Sequence, residues 1–178
     1  MSRSVRAPGT ADSLGTTAGN PASAPRSRRA ITNEIEIGAR PEVVFDYMTD
    51  VRNEPQWNPQ MSRVVKVTDG EVGRGTRFRV RFGRGVGETL IEHTRFDRPR
   101  SWASISRSRV LDVEAEGEVV EAPRGSRLRI RTDLHPNSVV RLALPLLRWW
   151  MHRTWDRDLR AAKTLLERPT ARRADGVS

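Results

Sequence analysis

The 178-residue chain contains no cysteine, only two lysines (Lys66 and Lys163), one tyrosine and three histidines. The missing cysteine excludes disulfides, thiolate catalysis and cysteine-ligated zinc. A membrane span needs roughly 20 apolar residues in a row. The most apolar stretch, "LALPLLRWWMHRTW", is broken by Arg148 and His152. The N-terminus carries arginines with no apolar run behind them, so it does not read as a secretory signal. A cytoplasmic protein is the expectation.

What is abundant is arginine. The net charge is +10, which by itself suggests a nucleic-acid partner. Its distribution weakens that suggestion. Five arginines against Asp12 give the first thirty residues +4, and the tail from Glu167 adds +1. That leaves +5 of the +10 for the body of the chain.

Residues 1–30 are rich in Ser, Ala, Gly, Thr and Pro, with two large aliphatics after Met1. Burial cannot offset the entropy of ordering such a segment, so a disordered basic arm is expected there, and a disordered tail over 168–178. One domain is expected over 31–167.

Within that domain the pattern is β-rich. "ITNEIEI" alternates, with Ile31, Ile35 and Ile37 on one face. Pro41 opens a helix carrying Val44, Phe45 and Met48 at helical spacing. "VRNEPQWNP" reads as a turn or second short helix. Six extended segments follow, beginning at Met61, Gly75, Gly87, Arg100, Arg109 and Arg127. A long helix from about Ser138 to Glu167, capped by Pro136 and Asn137, closes the chain.

One hairpin can be tested by register. With "APRG" as its turn, Glu118 faces Arg129 and Glu116 faces Arg131, while Val119 meets Leu128 and Gly117 meets Ile130. Both faces agree, with charge pairs outside and apolar pairs inside. If the first strand flanks the other edge of the arginine strand, Glu34 and Glu36 add a second acidic row. The basic stripe is then internally neutralised, and nucleic acid is not the expected partner. Arg77, Arg79 and Arg81 show no such partners in the sequence.

On the closing helix, Val140, Leu144, Leu147, Met151, Trp155, Leu159, Ala162 and Leu166 form one apolar stripe. Leu142, Leu146 and Trp149 point away from it and Trp150 sideways, and Pro145 offers a kink. Three covers for this excess apolar surface come into question: loops around Trp57, a second subunit, or a peripheral membrane interface. A lid over a pocket mouth is the favoured expectation. The oligomeric state is open.

The order and motifs resemble a family. "IEIGARPEVVFDYMTDVRNEPQWNP" resembles the opening of the START-like (SRPBCC) superfamily, in particular its polyketide cyclase/dehydrase and lipid-transport group. Ala39, Glu42, Val44, Phe45, Tyr47, Asp50, Trp57 and Pro59 carry the match. "VGRGTRF", "FDRPRSWAS" and the closing helix with its Pro-Leu-Leu step resemble later parts of the group. The resemblance implies an α+β helix-grip fold. About seven antiparallel strands curve around a long C-terminal helix, with an apolar cavity between them for a lipid, polyketide or similar hydrophobic molecule. No cofactor is expected, and no spacing among the three histidines suggests a metal site.

Alternation supplies candidate cavity residues: Phe78, Val80 and Phe82; Trp102 and Ser104; Ala115, with Gly117 beside it leaving room; and Ile130. Trp57, Leu147, Met151 and Trp155 join them. "GETLIEHTRF" leaves two faces open. The choice that sends Phe96 into the core also turns Glu92 inward, as an orienting or acid/base carboxylate. The other choice turns His93 inward. Asp158 lies on the apolar stripe and needs a partner. No nucleophile–base pair declares itself, so binding is the main expectation and an aromatase/cyclase or dehydratase-type enzyme the alternative.

Overall fold

The computed structural model describes residues 30–83, 87–108, 111–136 and 144–168, with backbone alone at 144, 145, 147 and 148. Ten elements follow in the expected order. Strand β1 (Ile31–Ile37) leads into helix α1 (Pro41–Thr49) and a 3₁₀ helix (Val51–Gln56). Strands β2 (Met61–Lys66), β3 (Arg77–Phe82), β4 (Gly87–Asp97), β5 (Ser101–Arg107), β6 (Leu111–Ala122) and β7 (Gly125–Pro136) precede helix α2 (Leu144–Leu166). The arm, the tail and the expected start of the closing helix at 137–143 lie outside the described residues. The kink expected at Pro145 also falls there, since the residues before Leu144 and the side chain of Pro145 are not described.

The strands form one antiparallel sheet in the order β1-β7-β6-β5-β4-β3-β2. Consecutive strands are neighbours except β1 and β2, which stand at opposite edges with α1 and the 3₁₀ helix between them in the chain, and β1 pairs with β7. The β6–β7 register is the expected one, with Glu118 opposite Arg129 and Gly117 opposite Ile130. On β7's other side Glu34 stands opposite Arg129 and Glu36 opposite Arg127. Arg129 reaches Glu34 at 2.8 Å and Arg127 reaches Glu36 at 2.9 Å. Arg131 instead meets Asp133 on its own strand, and Glu116 reaches over to Arg95. Arg77 and Arg79, without partners in the sequence reading, meet Glu92 and Glu88 on β4. Apart from the half-buried Arg131–Asp133 pair these pairs are largely exposed, so water screens them and they set register more than stability.

Two clusters make the core. One gathers Phe45 of α1, Trp102 of β5, Leu128 of β7 and Leu159 of α2. Phe45 sits edge-on to Trp102 at 5.5 Å and to Phe96 at 5.0 Å. The second gathers Val51, Met61, Phe78, Val80 and Ile91 beneath the 3₁₀ helix. Polar contacts tie α2 to β1. Buried Asn33 donates to the Asp156 carboxylate at 2.6 Å, and Lys163 donates to the Glu36 carbonyl at 2.7 Å.

Candidate functional site

Between the sheet and α2 lies a cavity of about 410 Å³. Residues from β4, β5, β6 and β7 form one wall, and α2 and the segment from α1 to the 3₁₀ helix form the others. Of the sequence-selected residues, Trp57, Phe82, Trp102 and Ser104 line it, as do Ala115, Ile130, Met151 and Trp155. Trp57 and Trp155 face each other across the α2 side, their rings 6.2 Å apart.

Three selected residues are placed otherwise, and the side chain of a fourth is not described. Phe78 and Val80 point to the sheet's inner face but are completely buried in the second core cluster, packed with Val51 and Met61, and do not reach the cavity. Glu92 faces outward and pairs with Arg77 across β3 at 3.0 Å. The side chain of Leu147 lies outside the described residues. Gly117 leaves no free space either, because the Trp102 ring lies across it where a β-carbon would stand.

Glu92 is misplaced by strict alternation because β4 is bulged. His93 pairs with Ser104, but Arg95 pairs with Ala103, so Thr94 is an extra residue. A bulge of this kind resets which face the following side chains take. Ile91 and His93 therefore face inward, and so does Phe96 beyond the bulge. The two faces that alternation set against each other are both inward, one on each side of Thr94.

His93 is 2 % exposed. Its Nε2 lies 2.8 Å from the carbonyl of Thr49, the last residue of α1. A carbonyl only accepts, so Nε2 carries the proton and Nδ1 is a bare acceptor. That Nδ1 is buried and has no partner among the described residues. Burial holds the imidazole below its usual range and therefore neutral. The indole Nε1 of Trp57 is also buried without a partner among the described residues, as a donor.

Three carboxyls border the same cavity: Glu116, exposed and paired with Arg95, and the more enclosed Glu54 and Asp158. Glu54, from the 3₁₀ helix, accepts from Asn58 Nδ2 at 3.0 Å. Burial pushes its pKa up to about 7. The Asn58 hydrogen bond opposes the rise, and the charge of Asp158 adds to it. Asp158, on α2, is 4 % exposed. Burial raises it too, while Arg157 at 3.0 Å pulls it back, supplying the partner that its place on the apolar stripe requires. The sequence reading passed over Glu54. Its one local signal is the i,i+4 spacing to Asn58 beside Trp57.

The expected lid is not built as predicted. Leu146 is 70 % exposed and Trp149 57 %, while Leu142 lies outside the described residues. The Arg153 guanidinium covers the Trp149 ring at 5.1 Å, over a shallow depression beside Ile31 and Thr32. Trp150 alone of this group lines the cavity, and it is half exposed. Among the described residues no helix is long and apolar enough to cross a membrane, and no group of three or more His, Asp or Glu side chains is placed to hold a metal ion.

No curated protein matches the sequence. Solved structures match the fold. The ZhuI aromatase/cyclase from Streptomyces sp. R1128 has a TM-score of 0.65 at 17% identity, covering 84% of this chain and 99% of that one. A START superfamily protein from Mycobacterium smegmatis also has a TM-score of 0.65, at 16% identity, covering 78% and 97%. The di-domain aromatase/cyclase StfQ of the steffimycin biosynthetic pathway has 0.64 at 14% identity, covering 78% of this chain and 50% of that one. The sheet closed by a C-terminal helix is the helix-grip fold that these proteins share. A family model described as "Polyketide cyclase / dehydrase and lipid transport" matches residues 28–167. With most of its length matched in sequence and the same fold around its cavity, the chain belongs to the polyketide cyclase / dehydrase and lipid transport family.

Proposed function

We propose that the protein binds a hydrophobic small molecule, a lipid, polyketide or similar compound, in the cavity between the sheet and α2. The observation that carries this reading is the cavity itself. Its roughly 410 Å³ falls within the range of about 300–1,000 Å³ typical of ligand sites, and its walls are mostly apolar with few polar groups. Trp102, Ile130, Met151 and Trp155 supply apolar contact. Ser104 and Ala115, opposite each other on β5 and β6, keep the floor open.

A neutral fluorescent probe such as N-phenyl-1-naphthylamine tests it. The wild type should bind the probe with enhanced emission. Ala115→Trp fills the floor and should abolish binding while the melting transition survives. A folded variant that binds as well as wild type overturns the reading. Native mass spectrometry of freshly purified protein would give the class of any retained ligand by mass.

One observation favours a second reading, catalysis of the aromatase/cyclase or dehydratase type. A carboxyl near pKa 7 inside the cavity is suited to move protons at neutral pH, and two fold relatives are aromatase/cyclases by name. Glu54, not Glu92, is then the residue to test. Glu54→Gln should keep binding a polyketide substrate while turnover falls by about 10²–10⁴-fold. Unchanged turnover removes Glu54 from that role.

A further inference from the structure

The cavity's polar groups are unbalanced. Among its described lining residues there is no lysine and no arginine, and every ionisable side chain apart from His93 is acidic. His93 is neutral and brings no positive charge. Glu54 and Asp158 are close enough for one charge to act on the other. Arg157 reaches Asp158, but its own side chain is 64% exposed. With both carboxyls ionised, the three groups carry one uncompensated negative charge. Such a charge away from water is costly unless something pairs with it. The chain as a whole is strongly basic, so a cavity with acidic walls is set against the background of the molecule.

Resting on the reading that the cavity is a ligand site, we propose that its occupant is an apolar molecule bearing one basic nitrogen, whose ammonium lies against Glu54 and Asp158. One cation neutralises the group. Its N–H donors match the acceptors on offer, the two carboxylates. The facing rings of Trp57 and Trp155 provide aromatic surface of the kind that receives a desolvated cation. An anionic amphiphile would bring a second negative charge to walls that supply no cation among the described residues. The raised Glu54 pKa accords with this: the carboxyl takes up a proton when nothing else supplies the positive charge.

Three compounds of equal chain length separate the alternatives: dodecylamine, dodecanol and dodecanoate, each below its micellar concentration, displacing N-phenyl-1-naphthylamine at neutral pH. A charged hydrogen bond is worth roughly 1.5–3 kcal/mol, so dodecylamine should displace the probe at about 10–100-fold lower concentration than dodecanol. Dodecanoate should be the weakest. The positive surface works against this order, so it has to come from the cavity. Glu54→Gln should narrow the amine–alcohol gap by about tenfold, and Asp158→Asn should act in the same direction. If Asp158→Asn fails to fold, Glu54→Gln alone decides. Dodecanol equal to dodecylamine, dodecanoate the tightest, or a gap unchanged in folded Glu54→Gln overturns the inference while leaving the cavity a binding site. Failure of the wild type to bind the probe, or undiminished binding by Ala115→Trp, overturns the cavity reading and this inference with it.

Discussion

Gly117→Ala adds one methyl group at the centre of the sheet and asks whether that space is cavity or core. Gly117 on β6 stands opposite Trp102 on β5 and Ile130 on β7. A β-carbon built there overlaps the six-membered part of the Trp102 ring. The ring has little room to retreat, because Trp102 is buried and sits at 89° to Phe45, itself fully enclosed. Overpacking of this kind costs about 1–3 kcal/mol. Disturbing the Trp102–Phe45 pair adds about 0.5–1.5 kcal/mol. Against these, replacing glycine within a strand returns about 0.5–1 kcal/mol. The net expectation is a loss of about 0.5–4 kcal/mol. For a chain of this length that is a fall of about 1–16 °C in Tm, read by calorimetry or circular dichroism. The same substitution in a Trp102→Ala background should be neutral or stabilising, which gives a double-mutant cycle with a large coupling term. Undiminished Tm for Gly117→Ala in the otherwise wild-type chain would refute this packing and return the space to the cavity.

The Glu54 carboxyl gives a pH signature. Its folded pKa of about 7 lies above the ordinary value of 4.5, so the folded state holds a proton that the unfolded chain releases between those values. Stability is therefore lost as pH rises through this window, by up to about 3 kcal/mol. Glu54→Gln should gain on wild type between pH 5 and pH 8 in urea unfolding, and a constant difference would show that the carboxyl is not held in this way. Deleting residues 1–29 should leave Tm nearly unchanged, since their composition offers little to bury; a fall of several degrees would show a docked arm. Trp149, exposed and covered by Arg153, should not bind anionic liposomes strongly or blue-shift on their addition. Salt-sensitive vesicle binding that disappears in Trp149→Ala would make that face a membrane contact.

The architecture was legible wherever both faces of an element carried a message. β6 and β7 disclosed their register because acids met arginines on one side while aliphatics met aliphatics on the other. The same logic raised β1 as the strand's other neighbour only as a condition, and the structure meets it, with Glu34 and Glu36 opposite Arg129 and Arg127. Along α2, Leu159 and Ala162 are buried and Trp155 and Leu166 half-buried, as the stripe required. β4 failed because period-two reasoning has no term for an inserted residue. Phe96 and His93 are an odd number apart and were forced onto opposite faces, until the bulge at Thr94 placed both inward.

The linear pattern therefore determined which segments are strands and helices, their order, and the register of the charged hairpin, because those depend on neighbours in sequence or on repeated cross-strand pairs. Which inward side chains border open space was decided only by the tertiary structure. Phe78 and Val80 alternate as correctly as Phe82 does, yet the 3₁₀ helix and Met61 close over them. Gly117 is small, yet Trp102 occupies the room it leaves. The acidic pair depends most completely on the fold. Glu54 and Asp158 belong to elements at opposite ends of the domain, and neither has a local reason to be protonated. Only when α2 closes against the 3₁₀ helix is Asp158 buried with Glu54 half-buried in the same cavity, where lost solvation raises both and the charge of Asp158 adds to the rise at Glu54.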